Sequence, residues 1–211
     1  MHERLVVVAH GSAAPAAAAT IHRLLGALRA DRPSVRVDLA FLDVVSPRLA
    51  DVLDDRPTVV VPLLLSTGYH VQADIPAVVR SHPRTRVSPH LGPDPLLARA
   101  LLDRLPGAPP DAAVVLVGAG SSRPDAAAEL TTMAGRLGDV LGRAVPLTTI
   151  DAGLGDRLRA LAPVRVATYL LAEGHFHDRI RAAVDGIGTA AEPIGAHPAL
   201  VELVWQRYDD T

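Results

Sequence analysis

The sequence predicts an α/β protein built from two similar lobes, each a doubly wound parallel sheet. Valine-rich runs of strand length alternate with amphipathic helical segments, an order typical of parallel sheets. A cluster of turn formers, Pro106-Gly107-Ala108-Pro109-Pro110-Asp111, divides the 211 residues near their middle. Beyond this cluster the pattern of the first half begins again. We therefore expect an internal duplication, with one lobe at residues 1–107 and the other at residues 111–211.

The first half contains four predicted strands, each followed by a helix. The opening run, Leu5 to Val8, is apolar at every position, as expected of a strand buried on both faces. The helix after it is predicted from apolar residues that recur at helical spacing between Ile21 and Leu28. By the same criteria, the strands are expected at residues 5–8, 35–42, 58–65 and 85–88. The helices are expected at residues 15–29, 47–53, 71–82 and 94–105.

The second half repeats the first at three places. The segment Val114–Ser121 repeats the opening strand and its turn, with Ala119 in the position of His10. Residues 164–176 repeat residues 59–70, and Phe176 takes the position of His70. A third match joins residues 195–200 to residues 92–97. Features that only one lobe has cannot be required by the shared fold.

Composition excludes several kinds of chemistry. Cysteine is absent, which excludes disulfides, thiolate nucleophiles and zinc–thiolate sites. All 21 basic residues are arginine, so lysine Schiff bases and P-loops are also excluded. The net charge of −2 gives no sign of a nucleic-acid partner. No apolar run approaches the ~20 residues of a membrane helix, and no signal-peptide pattern is found, so a cytoplasmic protein without a membrane partner is expected.

The first lobe places chemically active side chains after three different strands. His10 follows the first strand, Asp43 the second and His70 the third. In an open α/β sheet, ligands bind in the crevice beyond the carboxyl ends of the strands. Imidazole suits iron, cobalt, nickel and zinc, and unperturbed histidine, with a pKa of about 6.5, is mostly neutral at pH 7. The three side chains therefore predict a site for a divalent transition metal.

The same motifs resemble those of the class II chelatases, which include the sirohydrochlorin cobaltochelatases and ferrochelatases. The resemblance rests on His10-Gly11-Ser12 after a valine strand, on Phe41-Leu42-Asp43 with Pro47, and on the long segment that ends at Asp74-Ile75-Pro76. That last segment begins Pro62-Leu63-Leu64-Leu65-Ser66-Thr67-Gly68-Tyr69-His70. The resemblance covers nearly the whole chain, including the duplication of the longer members.

This resemblance implies insertion of Co2+ or Fe2+ into sirohydrochlorin, on the path to cobalamin or sirohaem. His10 and His70 match the family's active-site histidines, and Asp43 stands where many members have glutamate. The metal, Co2+ or Fe2+ with Ni2+ as a further option, is a substrate, and no tightly bound cofactor is expected. The only other expected partner is the tetrapyrrole, and the protein is expected to be a monomer or homodimer. The residues predicted to contact the macrocycle are Gly11, Ser12, Gly68 and Tyr69.

Two other functions involve histidines in similar positions. A non-catalytic carrier of metal or tetrapyrrole could use the same residues, and turnover of the free-base substrate separates it from an enzyme. A histidine phosphatase requires an arginine directly before the histidine, but Ala9 stands there.

The remaining histidines are expected to lie outside the site. His175 and His177 of the second lobe are interpreted as surface residues, with an auxiliary ligand role as the alternative. His90 and His197 are expected in corresponding loops.

Overall fold

The computed structural model describes residues 3–105, 107, 112–121 and 123–211, and of His70 only the backbone. Within these ranges eight β-strands alternate with α-helices. In chain order the elements of the first half are β1 (Arg4–Ala9), α1 (Pro15–Asp31), β2 (Val37–Phe41), α2 (Leu49–Val52), β3 (Thr58–Pro62), α3 (Ile75–Val79), β4 (Thr85–Val87) and α4 (Pro95–Arg104). Those of the second half are β5 (Ala113–Gly118), α5 (Pro124–Leu141), β6 (Leu147–Thr149), α6 (Leu154–Arg159), β7 (Val164–Tyr169), α7 (His175–Val184), β8 (Gly188–Ala190) and α8 (Pro198–Asp209).

The strands form two four-stranded parallel sheets of identical topology. The first has the order β2-β1-β3-β4 and the second the order β6-β5-β7-β8. Within each sheet every neighbouring pair of strands is parallel. The predicted fold class, two similar doubly wound parallel-sheet lobes, is therefore confirmed.

The central strands are buried on both faces, as their valine-rich composition predicts. Every residue of β1 and β3 is buried, because helices cover both sides of the sheet. On one face Val6, Val8 and Val60 pack with Ile75 of α3. The buried Arg4 at the start of β1 donates to the hydroxyl of Thr58 and to the carboxylates of Asp38 and Asp54, so its charge is compensated. The sheet therefore forms a rigid support, and the side chains that are available for chemistry lie at its carboxyl edge.

Two predicted helices are shorter than the sequence indicates. The helix expected at 47–53 is the single turn α2. The helix expected at 71–82 begins as a π-helical turn, His70–Asp74, and continues as α3 to Val79 only. Such π-helical turns are frequent at functional sites, and this one lies directly after the loop that follows β3. In the described part of the chain, no helix is long and apolar enough to cross a membrane.

Contacts divide the chain into two compact units. The first comprises residues up to Leu91 together with Ala196–Thr211, and the second comprises Gly92–Gly195. Helix α8 packs against α1 and β3 of the first unit, whereas α4 packs against α5 and β7 of the second. Each sheet is thus covered in part by the helix that follows the other sheet. This division differs from the one that the sequence predicts, with lobes at 1–107 and 111–211. The segment expected to divide those lobes, residues 106–111, lies mostly outside the described residues.

Candidate active site at the carboxyl edge of the first sheet

His10 and Asp43 are brought together by the register of β1 and β2. Ala9 pairs with Phe41, and the pairing continues one step beyond the strands. The Leu42 N–H donates to the Ala9 carbonyl at 2.9 Å, and the Asp43 N–H donates to the His10 carbonyl at 2.8 Å. His10 is exposed at this edge. The structure therefore places two of the three predicted metal ligands side by side.

Gly11 permits this arrangement. Its φ is +104°, a conformation that L side chains rarely adopt, and an added Cβ would lie 2.0 Å from the Asp43 carbonyl oxygen. The backbone of Asp43 therefore approaches Gly11 more closely than any residue with a Cβ would allow. Gly120, in the corresponding turn of the second sheet, also has a positive φ (+86°). The glycine is therefore a requirement of this strand-end turn in both sheets.

Ser12 shapes the turn that leads into α1. Its hydroxyl accepts a hydrogen bond from the Ala14 N–H at 3.1 Å, and Ser121 makes the equivalent bond to Arg123 in the second sheet. Helix α1 begins at Pro15, which has no N–H to donate. The Ser12 side-chain hydrogen bond is consequently a feature of the fold that the two sheets share.

The carboxylate of Asp43 is held by two donors on one oxygen. Oδ1 accepts from the Val44 N–H at 2.8 Å and from the Arg48 guanidinium at 3.2 Å. These hydrogen bonds, the Val44 one first, hold the pKa of Asp43 below its ordinary value of 3.8, and the nearby His10 acts in the same direction. Asp43 is therefore an anion throughout the neutral range, as a ligand for a dication must be.

The backbone beside Asp43 is strained. Val44 has a φ of +67°, and the Val45 N–H donates to the Asp43 carbonyl at 2.7 Å. This is the geometry of a γ-turn with positive φ, which is rare, and a β-branched residue at its centre is an outlier. Strain of this kind costs about 1–3 kcal/mol and clusters at functional sites. Here it directs the Val44 N–H at the Asp43 carboxylate.

Sequence reasoning missed Arg48. The sequence alone does not indicate which arginines belong to the site, because all 21 basic residues are arginine and residue type does not distinguish them. Arg48 also donates to the Leu42 carbonyl at 2.8 Å, and its backbone forms a bridge to Phe41. Its position in the sequence could have indicated it, because Arg48 directly follows Pro47 and lies only a few residues after Asp43, the candidate carboxylate.

The third predicted ligand follows β3. The Leu63 N–H donates to the Val8 carbonyl at 2.8 Å, which keeps the end of β3 beside the end of β1. Tyr69 is 68% exposed, and Gly68 has open space where a Cβ would project. The backbone of His70 begins the π-helical turn, and its side chain lies outside the described residues. Among the residues described, no group of three or more acidic or histidine side chains could hold a metal, so the His10–Asp43–His70 set stays a prediction.

The second sheet lacks the histidines but keeps the carboxylate. The Ile150 N–H donates to the Gly118 carbonyl at 3.2 Å, just as Leu42 donates to Ala9. This register places Ala119 in the position of His10 and Asp151 in that of Asp43, a match that the irregular sequence around Asp151 did not reveal.

Asp151 is held by a similar pair of donors, with the Thr149 hydroxyl as a further donor to Oδ2 at 3.5 Å. Its Oδ1 accepts from the Gly153 N–H and from the Arg157 guanidinium, both at 2.7 Å. The Arg157 hydrogen bond is the main reason that the pKa of Asp151 is lowered.

The histidines of the second half differ from one another. His175 is exposed, as expected, but the surface position expected for His177 is wrong, because His177 is only 2% exposed. It lies with Ile180 and Val184 on the buried face of α7. The sequence did not show which face of α7 is buried, since the sheet that covers it is a tertiary feature. His197 caps α8, its Nδ1 accepting from the Ala199 N–H at 3.2 Å.

The comparisons with known proteins agree with this architecture. The CbiX family model matches residues 4–108, whereas no curated protein sequence matches the chain. The structure of SirB from Bacillus subtilis with Fe3+ is 25% identical and has a TM-score of 0.81, with 100% of this chain and 95% of that one covered. Another SirB structure, of the sirohydrochlorin chelatase from Bacillus subtilis subspecies spizizenii in complex with cobalt, is 23% identical over the same shares, also with a TM-score of 0.81.

A third structure is described as CbiX, the terminal enzyme for biosynthesis of siroheme in denitrifying bacteria. It is 22% identical, has a TM-score of 0.73 and covers 99% of both chains. The family match and the fold together identify a class II chelatase. The chain belongs to the CbiX family.

Proposed function

We propose that this protein is a sirohydrochlorin chelatase, which inserts Co2+ or Fe2+ into the free-base macrocycle in cobalamin or sirohaem biosynthesis. The observation that carries the proposal is the placement of His10 beside an anionic Asp43 at the carboxyl edge of a chelatase sheet. The family match over residues 4–108 and the SirB structures support the substrate class. A cytoplasmic location is part of the same proposal.

Metal insertion makes three demands on the protein. The metal must be held and then released, its charge must be partly neutralised, and the pyrrole protons must be accepted. Neutral imidazole from His10 and His70 can bind the metal reversibly and can accept a proton. The Asp43 carboxylate supplies negative charge next to the metal. Cysteine thiolates would hold the metal more tightly, and the chain has none.

The macrocycle needs an apolar contact beside the metal site. Tyr69, 68% exposed, and the exposed Val44 present apolar surface at the loops after β3 and β2. Gly68 leaves open space next to Tyr69, so the ring can approach the backbone there. Gly11 and Ser12, which line the same edge, complete the predicted set of substrate contacts.

The test is metallation of free-base sirohydrochlorin by the purified protein, followed by absorbance after subtraction of the uncatalysed rate. His10→Ala and His70→Ala should each lower turnover at least a hundredfold, the lower end of what a general acid or base contributes. His22→Ala is the matched control, because His22 is an exposed histidine on α1. It should leave the rate unchanged.

Two outcomes would contradict the proposal. Near-wild-type turnover in either active-site variant would exclude that histidine from the site. Binding of metal or tetrapyrrole without any turnover by the wild-type protein would instead identify a carrier. Parallel assays with Co2+, Fe2+ and Ni2+ identify the preferred metal.

A further inference from the structure

The two oxygens of the Asp43 carboxylate are in different surroundings. Oδ1 accepts both hydrogen bonds, from the Val44 N–H and from Arg48. Within the described residues no donor reaches Oδ2. A carboxylate held in this way can offer one oxygen to a metal, whereas a carboxylate without such partners can rotate and offer both.

Arg48 is itself fixed by the main chain. Its guanidinium also donates to the Leu42 carbonyl, and its backbone N–H donates to the Asp51 carboxylate at 2.9 Å. The Phe41 N–H donates to the Pro47 carbonyl at 2.9 Å, which ties the segment before α2 to the end of β2. The Arg48 guanidinium is therefore held beside Asp43 by two acceptors, the Leu42 carbonyl and the Asp43 carboxylate.

We propose that Arg48 is a positioning residue that restricts Asp43 to a single metal-binding oxygen and weakens its hold on the dication, so that the metal can pass to the macrocycle. This inference rests on the proposed chelatase function. It assigns to Arg48 control over metal release, a role distinct from that of the ligands themselves.

The size of the competing effects favours a role in release over a role in folding. The side chains of Arg48 and Asp43 are 45% and 59% exposed, and exposed ion pairs of this kind contribute little to folding. A metal ion on Oδ2 would carry a double charge only a few ångströms from the guanidinium, and their repulsion is opposed by water and salt but not abolished. Removing the arginine charge should thus strengthen metal binding without unfolding the protein.

The experiment compares Arg48→Met with the wild-type protein in two measurements. In a titration with Co2+ alone, followed by its visible d–d absorption, the Kd should fall by about threefold to tenfold. The band shape should also change, because Oδ1 is then held by the Val44 N–H alone and can approach the metal more closely. In the metallation assay, kcat and the KM for Co2+ should fall together, the pattern expected when a ground state is held too tightly.

Two further variants serve as controls. Arg157→Met removes the same charge from the equivalent carboxylate pair, Asp151 and Arg157, beside which Ala119 takes the position of His10. It should leave the Kd, the spectrum and turnover unchanged. Arg48→Lys keeps a positive charge near Asp43 and should bring the Kd and kcat back toward the wild-type values.

The outcomes separate this inference from the proposed function. Weaker Co2+ binding in Arg48→Met, or a spectrum and kcat equal to those of the wild type, would overturn the role of Arg48 while leaving the chelatase proposal intact. Absence of both Co2+ binding and turnover in the wild-type protein would overturn the proposed function and, with it, this inference.

Discussion

An aspartate follows the second strand of each sheet, Asp43 in the first and Asp151 in the second, and its hydrogen-bond donors determine the direction of its pKa shift. Both accept one backbone N–H and one arginine guanidinium, and both have a lowered pKa. The order of the causes differs, because the Val44 N–H dominates at Asp43 and Arg157 dominates at Asp151. The largest single cause of the lowered pKa of Asp43 is therefore the N–H of Val44, the residue at the centre of the strained turn.

Titration of these carboxylates gives the prediction at the scale of the residue. Because the folded-state pKa of Asp43 lies below 3.8, its charge stabilises the fold above that pH and is lost only as the pH falls through the folded-state pKa. The 13C chemical shift of the Asp43 carboxyl should therefore show a midpoint below 3.8. It should stay ionised from pH 8 to pH 5, so any loss of turnover in this window comes from another group.

Variants separate the two causes of that shift. Arg48→Met should raise the Asp43 midpoint part of the way toward 3.8, because the Val44 hydrogen bond remains. The Asp151 midpoint should respond to Arg157→Met and not to Arg48→Met. An Asp43 midpoint at or above 3.8 in the wild-type protein would contradict the described hydrogen bonds.

At the scale of the element, α8 shows how a helix finds the sheet that it covers. Its apolar residues recur at helical spacing, and such a pattern fits either sheet. In the structure it packs against α1 and β3, and Trp205 on its buried face is 2% exposed. The Arg32 guanidinium lies 4.5 Å from the Trp205 ring centroid and pairs with Asp209.

Trp205 should dominate the stability of this packing. Trp205→Ala should lower the free energy of unfolding by about 3–5 kcal/mol, because a large buried ring is replaced by a cavity. Arg32→Ala is the comparison on the same contact. Since Arg32 and Asp209 are 36% and 48% exposed, its effect should be about 1 kcal/mol or less.

Denaturant unfolding followed by circular dichroism measures both variants. Equal losses of stability in the two variants would mean that Arg32 contributes as much as the buried ring to holding α8 in place, contrary to this prediction.

At the scale of the whole molecule, the duplication separates what the fold requires from what the chemistry requires. The strand-end glycines, the serine turns and the aspartate–arginine pairs occur in both sheets. His10 is replaced by Ala119, and His70 by Phe176. This difference favours a single metal site, on the first sheet.

His175→Ala tests the single-site prediction. His175 is exposed at the start of α7 and is the remaining histidine of the second sheet that could act as a ligand. The variant should keep its kcat within about twofold of the wild type, since a group that aids only substrate binding changes KM. A loss of turnover as severe as that of His10→Ala would place catalytic contacts on both sheets.

His177 cannot serve for this test. It belongs to the buried face of α7, and within the described part of the chain its Nε2 has no hydrogen-bond partner. Truncation to alanine would open a cavity and lower stability, which would obscure any effect on the site.

The sequence by itself determined the fold class, the duplication and the approximate strands, because strands buried on both faces leave an unmistakable apolar run. It also located His10, Asp43 and His70 at strand ends, since each follows directly on such a run. These are local properties of the chain, and its composition and residue spacing are enough to predict them. The family resemblance added the substrate class to the same residues.

Tertiary structure alone decided which helix covers which sheet, which face of α7 buries His177, and what surrounds Asp43. The register between β1 and β2 sets Asp43 against His10, and the turn at Val44 and the fold of the segment before α2 bring two donors to one oxygen. Neither composition nor periodicity predicts that the residues of these contacts will meet. They depend on how separate elements pack, and an amphipathic pattern specifies that a face is buried without specifying against what.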